Sequence, residues 1–388
     1  MPGEDGSPGD IETGNPVVIF LCGDVMTGRG IDQILPSPAD PALFEPYVHD
    51  ARTYIDLAER AGASIPRLAS FSYIWGDTLE IWNEVRPVAR IVNLETSITR
   101  SDDHWPEKDV HYRMSPGNVR CLPEAGISAC SLANNHVLDW GYAGLSETLA
   151  ILDDQGIGHA GAGRNSAEAA APLAIDTGEG GRLLLWSCAA SSSGVPRSWS
   201  ASGDRPGVNL LPDLSTDTAG SLAAGVRSYR RRGDLVIASI HWGGNWGYQI
   251  EGEQREFAHT LIESGVVDVI HGHSSHHVMG IEVYRGKLIL YGCGDFLNDY
   301  EGIGGFEQFR GGLGLMYFPA LNRDTGELAG LCMYPTRIED FRLSRAASED
   351  VAWLSEVLSR EGTALGTRVN ACQGGGLCLG WDSSSSVA

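Results

Sequence analysis

The stretch VVIFLCGDVM, residues 17–26, opens with six apolar residues that are followed by Gly23 and Asp24. A short apolar run that a turn residue terminates is typical of a strand buried on both faces. We therefore predict a strand over residues 17–22, with Asp24 just beyond its carboxyl end and a helix from about residue 26 to residue 35. A strand followed by a helix is the repeating unit of an α/β fold.

The same arrangement recurs along the chain. Apolar runs predict further strands over residues 88–94, 127–132, 235–240 and 266–270. Polar or metal-capable residues follow these runs: Glu95, Asn135 with His136, His241, and His273 with His276. In open α/β sheets ligands gather at the carboxyl ends of the strands, so we expect these side chains to meet at one edge. Carboxylates, an amide and imidazoles together suit one or two divalent transition metals.

Each of these residues also has an ordinary structural explanation. Asp24 could cap the following helix, and Asn134 and Asn135 could belong to a turn. Glu95 could be a solvated loop carboxylate, and any one histidine could be a satisfied core residue. The recurrence at five strand ends favours a site over five separate coincidences.

Composition limits the classes of partner. The 388 residues include 50 acidic and 28 basic side chains, which gives a net charge of −22. Such a charge argues against nucleic acid and against an anionic membrane surface, and an anionic substrate would need a local positive centre such as a metal ion. No apolar segment reaches the roughly 18 to 20 residues of a membrane helix, and the N-terminal region lacks the pattern of a secretory signal. We expect a cytoplasmic protein; its oligomeric state is not indicated.

The eight cysteines include no C-x-x-C pair. In a chain of this length they do not suggest a disulfide framework, and we predict mostly buried, reduced thiols. Glycine- and serine-rich composition predicts flexible tails over residues 1–15 and 363–388. One catalytic domain would then cover residues 16–362, with an aromatic-rich insert over residues 36–86.

The strand-end motifs resemble those of the CapA family of capsule-synthesis proteins, which is associated with poly-γ-glutamate biosynthesis. They are GDVM at 23–26, NLE at 93–95, ANNH at 133–136 with Asp139 and Gly141, HWG at 241–243, and GH at 272–273 with His276. The resemblance runs from about residue 17 to residue 295 and includes KLILYGCGDF at 287–296. That family is similar to the calcineurin-like metallophosphoesterases.

The resemblance implies a four-layer α/β/β/α sandwich with a dinuclear centre of Mn, Fe or Zn between its two sheets. The matching ligands are Asp24 and His276 for the first metal, Asn135, His241 and His273 for the second, and Glu95 as the bridge. His136 would act as general acid towards the leaving group, and Asp139 could orient its ring.

Two residues depart from the pattern that the resemblance implies. Met26 stands where the wider superfamily usually has a histidine, which weakens the first metal site. Asp295 stands where CapA relatives commonly have asparagine, so it could add an acidic group beside the metals.

Further residues near the motifs could bind a small or oligomeric anionic substrate. Arg113 and Lys108 follow Glu95 in a polar loop, and Trp242 and Asn245 adjoin His241. A solvated loop and core packing are the corresponding structural alternatives.

Three functions remain open from the sequence. The resemblance favours a metal-dependent phosphoesterase. A γ-glutamyl-type amide hydrolase or transferase fits the same metal geometry. The third function is a non-catalytic capsule assembly protein, which the weakened first metal site suggests. An exporting capsule component would be expected to contact the membrane, so we favour a soluble enzyme whose pathway need not be capsule synthesis.

Overall fold

The structure is a computed structural model that describes residues 16–106, 108–178 and 181–382, with only the backbone of Gln373. The tail predicted over residues 1–15 lies outside the described residues. The strands in chain order are β1 (Val17–Val18), β2 (Phe20–Val25), β3 (Arg90–Leu94), β4 (Ser97–Ile98), β5 (Arg113–Met114), β6 (Ala129–Ser131), β7 (Gly158–Ala160), β8 (Ala162–Gly163), β9 (Leu173–Asp176), β10 (Arg182–Ala189), β11 (Gly207–Val208), β12 (Leu235–His241), β13 (Val269–His273), β14 (Ile281–Tyr284), β15 (Lys287–Leu290), β16 (Asp295–Leu297), β17 (Leu313–Leu321), β18 (Leu328–Glu339), β19 (Arg342–Arg345), β20 (Thr367–Ala371) and β21 (Leu377–Trp381). The α-helices are α1 (Arg29–Ile34), α2 (Arg52–Arg60), α3 (Thr78–Val85), α4 (Cys121–Glu124), α5 (Gly141–Asp154), α6 (Ser166–Ala170), α7 (Thr216–Arg227), α8 (Gly252–Glu263) and α9 (Ser348–Gly362).

Most of these strands form two sheets, and the fold is mixed α/β. The larger sheet has the order β20-β21-β18-β17-β2-β3-β6-β7, and the smaller has the order β14-β15-β13-β12-β10-β9. Strands β2, β3, β6 and β7 are parallel to one another, as are β10, β12, β13 and β15. Each sheet therefore has an edge at which parallel strands end together.

Alternate side chains of the strands enter different hydrophobic clusters. On β12, Leu235 and Ile237 join a cluster that contains side chains of both sheets, whereas Val236 and Ala238 pack with α7 and α8. Because side chains alternate along a strand, one face of the smaller sheet meets the larger sheet and the other meets helices. A third cluster joins the opposite face of the larger sheet to α1, α2, α3 and α5.

The aromatic-rich insert predicted over residues 36–86 contains α2 and α3. Trp75 and Trp82 in this region are fully buried, and Phe20 of β2 meets the ring of Trp82 edge-on at 5.1 Å between centroids. The insert thus covers one face of the larger sheet. Among the described residues, no helix combines the length and the apolar composition needed to cross a bilayer.

The flexible tail predicted over residues 363–388 needs correction in its described part. Residues 367–381 form the antiparallel pair β20–β21, which extends the larger sheet at β18. The glycine-rich stretch is the turn of this hairpin, and Gly374 and Gly375 have φ values of +79° and +78°, which favour glycine. Leu377 and Val369 are buried against the sheet, so their apolar contacts hold the hairpin in place.

The cysteine prediction is wrong at one pair. Cys372 and Cys378 form a disulfide across the β20–β21 turn. The free cysteines are Cys22, Cys121, Cys130, Cys188 and Cys293, all buried, and the half-buried Cys332. The hairpin brings together two cysteines whose sequence spacing matches no familiar pairing motif.

Candidate metal centre

The predicted ligands of the smaller sheet lie between the two sheets because of strand alternation. Ser239 and His241 continue the face of β12 that carries Ile237, and His273 continues the face of β13 that carries Val269. All three polar side chains are buried. The apolar face of each strand therefore becomes a polar face at its carboxyl end.

Asp24 reaches the same space through an irregularity in β2. The pairing of β2 with β3 shifts register between Leu21 and Asp24, so Asp24 does not alternate regularly with Leu21. At the bulge, a Cβ on Gly23 would lie 1.6 Å from the carbonyl oxygen of Gly294, so only glycine fits there. Asp24 Oδ1 then lies 4.0 Å from His273 Nδ1 of the other sheet.

Buried carboxylates lie close together here with little compensating charge. Asn93 Nδ2 donates to Asp24 Oδ1 at 2.7 Å and to Glu95 Oε2 at 2.9 Å. Asp24 Oδ2 is buried and has no hydrogen-bond partner among the described residues. Burial and the neighbouring Asp295 raise the pKa of Asp24 to about 7, and burial and Asp24 raise the pKa of Glu95 well above its usual range. Ionised carboxylates so placed need a cation, so the cluster fits a metal ion.

A hydrogen-bonded chain determines which nitrogen of His273 carries the proton. His271 Nε2 donates to the carbonyl oxygen of Cys22 at 2.7 Å, and burial lowers the pKa of His271 to about 4, so the ring is neutral. His271 Nδ1 must then accept from Ser239 Oγ at 3.1 Å, and Ser239 Oγ accepts from His273 Nε2 at 2.9 Å. His273 therefore presents an unprotonated Nδ1 to the space beside Asp24.

His241 also presents its Nδ1 to this space. Its Nε2 donates to Asn135 Oδ1 at 3.0 Å, and its Nδ1 lies 2.8 Å from His273 Nδ1. Two nitrogen lone pairs at this separation repel each other unless a cation binds both. Asp24, His241 and His273 each offer a ligand atom, and the three atoms lie within 4.8 Å of one another.

A second group of candidate ligand atoms also includes Asp24. Asp24, His276 and Asp295 also offer three atoms within 4.8 Å of one another. His276 Nδ1 donates to Asp295 Oδ1 at 2.8 Å, and Asn298 Nδ2 donates to Asp295 Oδ2 at 2.7 Å. Burial disfavours the His276 cation, but Asp295 outweighs burial and raises the pKa of His276.

His136 and Asp139 lie beside this cluster. His136 Nδ1 donates to Asp139 Oδ2 at 2.6 Å, and His136 Nε2 lies 3.8 Å from Glu95 Oε1. Lys108 contacts the Asp139 carboxylate and the carbonyl oxygen of Asn135. Burial lowers the pKa of His136 to about 4, so the ring is neutral near pH 7. Burial alone would raise the pKa of Asp139, but His136 and Lys108 outweigh it and lower that pKa.

The other expected substrate contacts are scattered. Arg113 lies on β5, where it donates to Asp102 and the carbonyl oxygen of Ser101, with its guanidinium 3.9 Å from the ring centroid of Trp140. Trp242 is buried among core side chains on the helix side of the smaller sheet. We leave both out of the site, because burial and existing partners engage them.

Asn245 is exposed and lines a cavity of about 430 Å³ that adjoins His276. Tyr300, Trp246 and Phe306 also line this cavity. Arg29 reaches it too, but Asp299 and Glu45 neutralise its guanidinium.

The sequence interpretation missed the residues that support the predicted ligands. Asn93 and Ser239 each precede a predicted ligand, Glu95 and His241 respectively, by two positions. A spacing of two places both side chains on one face of a strand; the same spacing relates His271 to His273, and it could have identified Asn93 and Ser239 as well. Asp295 appeared in the sequence only as an extra acid; the pairing of β16 with β2 places it opposite Asp24.

Comparisons with known proteins agree with the resemblance found in the motifs. A model of the family described as bacterial capsule synthesis protein PGA_cap matches residues 18–300. The chain is 46% identical over 359 residues to a probable polyglutamine synthesis accessory protein of Mycobacterium tuberculosis, covering 92% of this chain and 94% of that protein. It is 23% identical over 278 residues to the PGA biosynthesis protein CapA of Bacillus subtilis, covering 71% of this chain and 62% of that protein.

The capsule biosynthesis protein CapA of Bacillus anthracis is 25% identical over 196 residues, covering 50% of this chain and 45% of that protein. The family match covers most of the chain and contains all the predicted metal ligands. This chain belongs to the bacterial capsule synthesis protein PGA_cap family.

Proposed function

We propose that this chain is a metal-dependent hydrolase with a dinuclear centre between the sheets of a four-layer α/β/β/α sandwich. The observation that carries the proposal is that two groups of three ligands share Asp24, whose buried Oδ2 has no hydrogen-bond partner among the described residues. Residues of both sheets contribute to these groups.

The donor set suggests which residues would hold each ion. Asp24, His276 and Asp295 would hold the first ion. His241 and His273 would hold the second, with Asn135 beside His241. Glu95 would lie between the two, because Asn93 holds it next to Asp24. Divalent ions such as Mn, Fe or Zn at these positions would polarise the substrate and lower the pKa of water.

His136 would move the proton that the leaving group needs. Because its Nδ1 donates to Asp139, its Nε2 carries a lone pair on the side of Glu95. Nε2 would take a proton from the attacking water and transfer it to the leaving oxygen or nitrogen, while the bond to that atom breaks. His136 is thus a base before it is an acid, and Lys108 acts on Asp139 rather than on the substrate.

We favour a phosphoester as the substrate, because paired ions can hold both oxygens of a displacement at phosphorus. The second candidate is a γ-glutamyl-type amide. It is favoured by the names of the relatives, which refer to polyglutamine and PGA synthesis. Arg29 and Lys108 also favour it, because each already pairs with a carboxylate and so offers little free positive charge to a phosphate.

Metal content and turnover in the same preparations would test the proposal. We expect about two equivalents of Mn, Fe or Zn by mass spectrometry. The loaded protein would then be assayed for phosphate release from aryl phosphates and amine release from γ-glutamyl peptides. His136→Gln should lower kcat by about 100-fold or more without loss of metal. The matched control is His159→Gln, since His159 contacts Asp153 away from the site.

Two results would contradict the proposal. Unchanged turnover in His136→Gln would remove its proton-transfer role. A protein that binds no metal after incubation would exclude the hydrolase and favour an assembly protein, in keeping with the accessory role that names the mycobacterial relative.

A further inference from the structure

Three cysteines lie together at the far side of the larger sheet. Cys332 is on β18, Cys378 is opposite it on β21, and Cys372 follows β20. Their three sulfur atoms lie within 4.8 Å of one another, and all three residues are half-buried. Strand β17 lies between β18 and β2, so this cluster is distinct from the candidate metal centre.

The turn between β20 and β21 wraps around these sulfurs. Cys372 N donates to the carbonyl oxygen of Gly376 at 2.9 Å, which closes the loop. A Cβ on Gly376 would lie 3.2 Å from the carbonyl oxygen of Met333 and 3.6 Å from both Cys332 Sγ and Cys372 Sγ, so the glycine backbone packs close to both sulfurs. A cavity of about 680 Å³ reaches Gly374 and Gly375 of the same turn. Solvent therefore reaches the turn that links Cys372 to Cys378.

We propose that these three sulfurs bind a soft metal ion, Zn²⁺ or Cu⁺, when the Cys372–Cys378 disulfide is reduced. Thiolates select these ions over the harder ones that carboxylates prefer. Zinc–sulfur bonds of about 2.3 Å place the sulfurs of a tetrahedral site about 3.8 Å apart, so the sulfurs of Cys372 and Cys378 would separate to that spacing after reduction. Three protein ligands leave the fourth position open to water, in keeping with the half-buried setting.

The two states exclude each other chemically. A dithiol reductant supplies two electrons and two protons, the bond between Cys372 Sγ and Cys378 Sγ breaks, and the reductant becomes a disulfide. Each thiol then loses its proton as it binds the ion. Oxidation to the disulfide removes two of the three ligands, so the ion must leave.

Cadmium binding to the full chain would test the proposal, because thiolate–cadmium bonds give an ultraviolet charge-transfer band that carboxylate and imidazole ligands do not. We expect the metal-free, reduced protein to develop this band with one equivalent of Cd²⁺, and the oxidised protein to show none. Cys332→Ser should weaken Cd²⁺ binding by at least about tenfold, since it removes a direct ligand. The control Cys188→Ser alters a buried cysteine of β10 and should leave the band unchanged.

The proposal fails if the reduced wild-type protein shows no band. It also fails if Cys332→Ser keeps the full band while Cys372→Ser loses it, because the site would then have two thiolates only. Circular dichroism of each variant separates loss of the ligand from loss of the fold. A mixed disulfide of Cys332 in the oxidised protein, detected by peptide mapping, would instead assign the cluster to disulfide exchange.

Discussion

Ser239 shows how one hydroxyl can prepare a metal ligand. It donates to His271 and accepts from His273, and this direction leaves His273 Nδ1 unprotonated. Residues that orient a metal-binding histidine in this way contribute strongly to affinity. The candidate metal centre therefore depends on residues that touch no ion.

We predict that Ser239→Ala weakens metal binding to the His241–His273 group by roughly 10- to 100-fold, because His273 loses the partner that selects its tautomer. Isothermal titration with Zn²⁺ or Mn²⁺ measures the change. Ser187→Ala is the matched control: Ser187 is the register partner of Ser239 on β10 and contacts Ser131 at 2.7 Å. Equal affinity in the two variants would contradict the tautomer argument.

A substitution at Asp295 tests whether Asp24, His276 and Asp295 bind an ion together. Asp295→Asn keeps an oxygen that can accept from His276 but removes the negative charge. If Asp295 binds the ion, the protein should lose about one equivalent of bound metal. Metal content after dialysis gives the stoichiometry, and the control is Asn298→Ala, which removes a hydrogen-bond donor to Asp295 and the acceptor of Tyr300 N but no charge. Two retained equivalents in Asp295→Asn would restrict Asp295 to orienting His276.

At the scale of elements, Glu282 ties helix α8 to the edge of the smaller sheet. It is 4% exposed and accepts from Arg255 Nη2 at 2.8 Å, His259 Nε2 at 3.0 Å and Tyr291 Oη at 2.6 Å. Burial alone would raise the pKa of Glu282, but these partners outweigh burial and lower it. The ionised carboxylate thus stabilises the contact between α8 and β14.

We predict that Glu282→Gln costs about 1–3 kcal/mol of unfolding free energy at pH 7. A lowered pKa gives stability that is present above the unfolded-state value of about 4.3 and is lost as the pH falls through the folded-state pKa. The difference between variant and wild type should therefore shrink as the pH falls below about 4.3. Urea unfolding across this range measures it.

Glu263→Gln is the control for this element. Glu263 lies on the same helix and contacts Tyr284 and Arg285, but its side chain is 40% exposed. Exposed pairs contribute about 0–1 kcal/mol, so this variant should change stability little. An equal cost for both variants would mean that the buried network around Glu282 adds nothing.

At the scale of the whole molecule, the candidate metal centre connects the two sheets. Asp24 and Asp295 belong to the larger sheet, and His241 and His273 belong to the smaller one. Without an ion, the carboxylates repel one another and the histidine lone pairs face each other. Metal binding should therefore hold the two sheets together.

We predict that a divalent ion at 100 times its Kd raises the unfolding free energy by about 2.7 kcal/mol, and that a chelator reverses the gain. Asp24→Asn should make the metal-free protein more stable, because it removes a buried charge, and should abolish the gain from metal. Thermal unfolding with and without Mn²⁺ measures both effects. If the thermal unfolding midpoint of the wild-type protein is the same with metal and with chelator, the result argues against an ion between the sheets.

The sequence by itself determined the α/β class, the family and the approximate positions of the main parallel strands. The strands predicted over residues 17–22 and 266–270 lie three residues further on, so Asp24 and His273 are inside β2 and β13 and not beyond their ends. The class, the family and the approximate positions follow from local patterns: apolar runs mark buried strands, and the residues just beyond these runs meet because parallel strands end together. Asp24, Glu95, His241, His273 and His276 could be named for this reason alone.

Only the tertiary structure decided the rest, because it depends on contacts between distant residues. Asp295 joins the cluster because β16 pairs with β2 across some 270 positions of sequence, and Asp24 turns inward because of a bulge against Gly294. Arg113 and Trp242 are engaged by partners that no spacing reveals. The β20–β21 hairpin is part of the larger sheet because β21 pairs with β18 and its apolar side chains pack against that sheet. Local sequence patterns determine which helices and strands form, whereas pairing between distant strands determines which of their side chains lie together.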